Sequence, residues 1–260
     1  MHIYNTIWIS TVPMTGTAWT FNTVREIFDS QKFNVLPKKA SPSHDSYLRT
    51  YKDDALTDRD KKNRYVMSCH VALVPHLPRT KFITNVRNPY DNCASYYEFK
   101  KCSLEDAIKC AQDIPTLVQH YSTLGDERVF MLKFEDIDER PEHLIKKISK
   151  FLEVDATDET AKRIAEKYSR ENVQLMIAKN DESLRKKLRL GQKIDEGEVI
   201  VREGGLRMDS FDSNTGYQSN HISKRKIGEW RAAFLASQIE MIIDALDETA
   251  TMLGYESEKS

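Results

Sequence analysis

The sequence predicts a three-layer α/β fold, in which helices flank a central, mostly parallel sheet. Three observations carry that prediction. Short apolar or β-branched runs at residues 3–10, 64–67, 81–86 and 128–133 alternate with stretches of helical periodicity, an order that gives parallel strands covered on both faces. The first run turns at Pro13 and Gly16 and continues as a helical pattern from Thr17, which leaves backbone amides free at a helix start. No linker-like stretch divides the 260 residues, so one domain over 1–260 is expected.

Each element has a local reason. The first strand occupies residues 3–10, and a helix follows over 17–28 with Trp19, Val24, Ile27 and Phe28 loosely on one side. Residues 37–63 hold Pro37, Pro42, Asp53, Asp54, Asp58 and Asp60, which predicts a loop with at most a short helix. Residues 64–67 give a weak strand signal. The strand at 81–86 is stronger and stops at Arg87-Asn88-Pro89, where the proline suits the first turn of the next helix. Helices over 90–100 and 104–124 follow, the second kinked or divided at Pro115. Beyond the strand at 128–133, Leu144, Ile148, Phe151 and Leu152 mark an amphipathic helix at 141–152. Two more helices are expected within 157–190. Residues 191–220 are polar, include Gly204-Gly205 and show no period, the pattern of a lid or binding loop. A helix over 236–253 closes the chain.

Composition excludes several classes of function. Lys plus Arg (39) nearly equals Asp plus Glu (40), so no global field recruits nucleic acid, and any anionic ligand must be held by a local cluster of cations. Cys69, Cys93, Cys102 and Cys110 form no C-x-x-C pair or zinc-like spacing, so no metal is expected and the thiols read as reduced and structural. No apolar run approaches the ~20 residues that span a bilayer, and the first residues lack the basic and apolar regions of a signal peptide. A cytoplasmic protein without a membrane partner is expected. A homo-oligomer is left open.

Four constellations carry chemistry. The turn Pro13-Met14-Thr15-Gly16-Thr17 can cradle a phosphate or sulfate through its amides and hydroxyls, or it is simply a tight turn with a threonine cap. It lacks the Gly-Lys-Ser/Thr of a Walker A loop, which disfavours Mg-nucleotide hydrolysis. Arg87 at a strand end and Ser95 eight residues on can grip one phosphate from two sides; the plainer reading pairs Arg87 with Asp91. His70 follows a short strand, where a neutral imidazole can take a proton from a hydroxyl, and His76 is its rival. Lys224, Arg225 and Lys226, ahead of Gly228-Glu229-Trp230, form either a solvated helix start or a basic flap over an anion.

In this order, the four pieces resemble the sulfotransferases that use 3′-phosphoadenosine 5′-phosphosulfate. That family's first loop, Pro-Lys/Arg-Ser-Gly-Thr-Thr-Trp, is matched by Pro13-Met14-Thr15-Gly16-Thr17-Ala18-Trp19. Its Arg-Asn/Asp-Pro-x-Asp with a later Ser is matched from Arg87 to Ser95 without gaps. Phe134-Glu135-Asp136 resembles its Tyr-Glu-Asp, Lys226-Ile227-Gly228-Glu229-Trp230 its basic Gly-Asp-Trp stretch, and Leu253-Gly254-Tyr255 its closing residues.

The resemblance implies a P-loop-like turn, with Thr15, Gly16, Thr17, Ala18 and neighbouring amides around the 5′-phosphosulfate and Trp19 stacked on adenine. It implies that Arg87, Ser95 and the Lys224–Lys226 run clasp the 3′-phosphate, that Ser169 lies on the adenine side, and that His70 is the general base. The donor would leave as adenosine 3′,5′-bisphosphate, no metal would be needed, and the acceptor would be a small molecule or carbohydrate with a hydroxyl. Residues 37–63 and 191–220 would shape the acceptor side.

The sequence departs from the family pattern at Met14 for Lys/Arg, at Ala18 for Thr, and at Ser68, where a Lys often precedes the histidine by two. An unreplaced first-loop cation costs about 2–4 kcal/mol of transition-state stabilisation. Lys38, Lys39, Arg202, Arg207 and the Lys224–Lys226 run are candidates to replace it. The alternative is a weak or inactive nucleotide-binding protein of the same fold, and a more distant one an atypical P-loop kinase.

Overall fold

The structure, a computed structural model, describes residues 4–43, 46–50, 52–73, 77–202 and 207–259. Strand β1 (Thr6–Ser10) is an apolar segment with every residue buried, as a strand flanked on both edges and both faces must be. It lies at the centre of a five-stranded sheet in the order β2-β3-β1-β4-β5, with β2 (Asn34–Leu36), β3 (Asn63–Cys69), β4 (Thr80–Val86) and β5 (Val129–Lys133). All four pairings are parallel. The chain moves from β1 toward β2 and β3 on one side, then returns to β4 and β5 on the other. Right-handed crossovers in opposite directions place their helices on opposite faces.

Helix α1 (Thr17–Ser30) accordingly packs against β1–β3 together with α7 (Pro141–Phe151) and α8 (Asp158–Lys167). On the other face, α5 (Leu104–Ser122) packs against β4, α4 (Pro89–Lys100) and α10 (Ala236–Met252). A second apolar cluster ties α4, α5 and α10 together, with Tyr90 stacked on Trp230 at 5.0 Å between ring centres. The reversal of strand order between β1 and β4 opens a crevice at the carboxyl ends of the strands, where α/β folds bind ligands.

The central strands and flanking helices follow the sequence expectation; the differences have local causes. Strand β2 is an edge strand of three residues, too short to show a period. The 37–63 region holds two short helices, α2 (Ser46–Thr50) and α3 (Lys52–Thr57). Helix α5 is not divided: it runs unbroken through Pro115 and packs against α4 and α10. Residues 191–220 are not a structureless loop. They contain a 3₁₀ turn (Glu196–Glu198) and an antiparallel hairpin of β6 (Val199–Arg202) and β7 (Arg207–Ser210). The segment is docked by Asn22 Nδ2 donating to the Thr215 carbonyl (2.7 Å) and by the hydroxyls of Ser210 (2.6 Å) and Ser219 (2.5 Å) donating to Asp181. Gly204-Gly205, Tyr51 and His76 lie outside the described residues.

The remaining helices are α6 (Glu135–Glu139), just past β5, and α9 (Arg170–Arg189). Cys69, Cys93, Cys102 and Cys110 are free thiols. Burial pushes Cys93 and Cys110 up to about 12, which keeps them as unreactive thiols. No helix among the described residues is long and apolar enough to cross a membrane.

Candidate active site

The ends of β1, β3, β4 and β5 converge on one cavity of about 330 Å³. One wall is the turn after β1. Met14 (φ 66°) and Gly16 (φ 91°) both occupy the left-handed region, which glycine tolerates freely and methionine does not. A Cβ on Gly16 would also lie 2.7 Å from Ile137 Cδ1 and 3.1 Å from Phe134 Cδ2. Glycine is needed here twice, for its torsion and for the close approach of the β5–α6 corner.

The carbonyls of this turn are tied to neighbouring elements. Asn92 Nδ2 donates to the Pro13 carbonyl (2.8 Å), Arg87 Nη1 to that of Met14 (2.7 Å) and Asn85 Nδ2 to that of Thr15 (2.9 Å). The buried Thr15 hydroxyl donates to the Val12 carbonyl (2.7 Å), and the Thr17 hydroxyl lies 2.6 Å from that of Thr11. Helix α1 starts at Gly16 with no side-chain cap, so its first amides remain available beside the cavity. Gly16, Thr17, Ala18 and Trp19 line it, whereas Thr15 does not.

Arg87 and Ser95 stand on the second wall. Asn88 caps α4 by accepting from the Tyr90 amide (3.0 Å), and Pro89 takes the first turn, as the sequence predicts. Arg87 is buried, its guanidinium 4.0 Å from the centre of the Phe134 ring. Burial lowers its pKa to about 10, with Asp91 and Glu135 opposing the shift, so it stays charged at neutral pH. The Asp91 carboxylate accepts from the Gly228 amide (2.8 Å) and so anchors the Gly228-Glu229-Trp230 turn to α4. Arg87 Nε and Ser95 Oγ are both buried, and neither has a hydrogen-bond partner in the described structure. Leaving such groups unsatisfied is costly. Two orphaned donors on one cavity are what an absent anion would satisfy.

The flanking cations are already engaged. Arg225 lines the cavity and is held by Glu98 through two bonds (3.0 and 2.9 Å). Arg170, also on the lining, donates to the Ser223 and Arg225 carbonyls and lies 3.6 Å from the Asp138 carboxylate. Lys224 and Lys226 are exposed and lie outside the lining. Ser169 is also off the lining, because its hydroxyl caps α9 by accepting from the Asn172 amide (3.3 Å); Tyr168 and Arg170 on either side do reach the cavity.

His70 follows β3 and lines the same cavity. Its Nδ1 lies 2.8 Å from the Thr11 carbonyl. A carbonyl only accepts, so Nδ1 carries a hydrogen, and in the neutral form of the ring Nε2 is the basic nitrogen. Beyond it stand His221, Lys100 and Arg202. Arg202 donates to Asp209 (2.5 Å) and Gln218 (2.6 Å). Lys38 and Lys39 bond Asn34 and Asn214 on the exposed surface instead, and the Arg207 side chain lies outside the described residues. The sequence reading missed Lys100, Arg170 and His221. Arg170 adjoins Ser169, the one local signal available.

Burial holds His221 near 4 against its usual 6.5, and the charges of His70, Arg202 and Lys100 add to that effect. The unfolded chain protonates this ring near 6.5 while the folded chain does not, so the unfolded state binds more protons between about 4 and 6.5. Stability therefore falls as pH drops through that window. Denaturant titrations at several pH values should show this slope, and His221→Leu should lessen it by about one proton.

Comparison with known proteins fits this geometry. The family model described as "Sulfotransferase domain" matches residues 5–205. Among solved structures, a mouse sulfotransferase complexed with PAP is 16% identical, with a TM-score of 0.59 over 95% of this chain and 84% of that one. A retinol dehydratase in complex with androsterone and inactive cofactor PAP is 15% identical, with a TM-score of 0.57 over 99% and 86% of the two chains. An Arabidopsis thaliana putative steroid sulphotransferase is 16% identical, with a TM-score of 0.52 over 97% and 78%. These likenesses are of fold. With more than half of its length matched by the family model, the chain belongs to the sulfotransferase family.

Proposed function

We propose that this protein is a sulfotransferase that moves a sulfuryl group from 3′-phosphoadenosine 5′-phosphosulfate to a hydroxyl of a small-molecule or carbohydrate acceptor. The observation that carries this reading is the orphaned pair Arg87 Nε and Ser95 Oγ, on the same cavity as the uncapped α1 start and the oriented His70. The donor supplies an electrophilic sulfuryl group on a phosphate leaving group. Arg87 and Ser95 hold its 3′-phosphate, with Arg225 beside them. The amides of Gly16, Thr17 and Ala18 hold the 5′ end, and Trp19 packs on the base. His70 Nε2 receives the acceptor's proton as the acceptor oxygen bonds to sulfur and the bond from sulfur to the leaving phosphate breaks. The backbone amides at the start of α1 face the charge that builds on the leaving group. The reading takes the protein as cytoplasmic.

Met14 favours a second reading, a protein that binds the nucleotide and transfers slowly or not at all. The first loop offers no cation, and Arg170, Arg202 and Arg225 each have a carboxylate partner. The test is to supply the phosphosulfate donor with a panel of phenols, sugars and small alcohols and follow release of adenosine 3′,5′-bisphosphate (PAP). Acceptor-dependent release supports transfer. PAP binding without release under any acceptor supports the second reading, and Met14→Lys should then raise turnover by about tenfold or more.

A further inference from the structure

The cavity has two electrically distinct ends. Arg87 and Ser95 stand at one; at the other, Phe99 stacks on His221 with 5.6 Å between ring centres, and the Arg202 guanidinium and the Lys100 ammonium lie 5.4 and 5.6 Å from the centre of the Phe99 ring, with His70 close enough for its charge to act on His221. Helix α4 joins the two ends. At about 1.5 Å per residue, Lys100 stands about 7.5 Å further along the axis than Ser95, away from Arg87. It ends α4 beside Phe99, which also lines the cavity.

Within the second group, Arg202 is balanced by Asp209 at 2.5 Å, and the half-buried His221 is neutral at neutral pH. The Lys100 side chain, which is exposed, has no hydrogen bond or ion pair among the described residues, and its one contact of note is with the face of Phe99, 5.6 Å from the ring centre. Among the described residues no carboxylate acts on it, and partial desolvation and the charge of Arg202 both disfavour the ammonium. One exposed ammonium without an ion-pair partner among the described residues therefore stands at a wall that joins the rings of Phe99 and Tyr217 to the polar groups of Arg202, Gln218 and His221. Arg202 uses two of its N–H groups and retains others for a ligand.

We propose that the acceptor is an anion, a hydroxyl compound of apolar or aromatic body whose carboxylate or similar group pairs with Lys100 while its hydroxyl reaches His70. This rests on the transferase reading above and adds the acceptor's charge. The rival role for this ammonium is to serve the donor in place of a first-loop cation. Its grouping with His70 and His221, rather than with Arg87, assigns it to the acceptor.

A matched pair of probes tests the assignment, para-hydroxyphenylacetate and its neutral analogue para-hydroxyphenylacetamide. Each is titrated into PAP-saturated protein and assayed with the phosphosulfate donor. The proposal expects the acid to bind roughly tenfold or more tighter than the amide and to be the better acceptor, and it expects Lys100→Gln to abolish that preference. PAP affinity of the variant, measured in parallel, should stay within about twofold, which also reports that it folds. Equal use of acid and amide by the native protein overturns the proposal. So does an unchanged preference in Lys100→Gln, an equal loss with both probes, or failure of both probes to bind the PAP-loaded protein. Failure of the protein to bind PAP at all would instead overturn the nucleotide reading.

Discussion

Arg87→Ala should weaken PAP binding at least about a hundredfold, close to 3 kcal/mol. Three effects act together. The variant loses the charge-assisted bonds that the buried Nε is positioned to give, and such bonds contribute about 1.5–3 kcal/mol each. It loses the bond from Nη1 to the Met14 carbonyl (2.7 Å), so the first-loop cradle slackens where the 5′ end would bind. It also leaves Asp91 and Glu135, which both favour the guanidinium charge, with a weaker counter-charge beside the phosphate. Arg87→Lys should recover only part of the loss, because an ammonium cannot both hold the Met14 carbonyl and present a planar fork to an anion. Calorimetric titration of the three proteins reads the effect directly, with circular dichroism as the check on folding. Binding of Arg87→Ala within about threefold of the native protein would remove Arg87 from the nucleotide site.

His70→Ala should lower acceptor-dependent turnover by about 10²–10⁴-fold while leaving PAP affinity unchanged. The separation of the two effects is the informative part. His70 stands at the end of β3 and is oriented by the Thr11 carbonyl, away from the charges that act on Arg87. A residue that only shaped the cavity would alter both quantities. The measurements are steady-state rates with the best acceptor of the panel and a PAP titration of the same preparation. Loss of PAP binding in His70→Ala, or retention of native turnover, would contradict its role as base.

Much of this site was legible in the sequence because its parts are local. The turn after β1 is marked by Pro13 and Gly16, and the torsion of 91° at Gly16 explains why glycine stands there. Arg87 and Ser95 share one short segment, and the Asn88 cap and Pro89 fix where its helix starts, so their spacing translates into a common face. What the sequence hid comes from tertiary contact. Arg170, His221 and Lys100 reach the cavity from α9, the segment after β7 and the end of α4, and no local pattern links them. Hairpin β6–β7 reads as polar loop because its charges are paired, Arg202 with Asp209. Strand β3 looks weak because it opens with Asn63-Arg64, yet that guanidinium is buried 3.8 Å from the centre of the Phe33 ring. Of the basic run Lys224, Arg225 and Lys226, only Arg225 lines the cavity, its guanidinium held by Glu98.

The most direct test of the central claim is a calorimetric comparison of PAP, 5′-AMP and ATP on the native protein without added metal. PAP differs from 5′-AMP only by the 3′-phosphate that Arg87 and Ser95 are proposed to hold. The account predicts PAP binding in the micromolar range or tighter, with 5′-AMP and ATP at least about a hundredfold weaker. Equal affinity for PAP and 5′-AMP, or no binding of PAP, would contradict it.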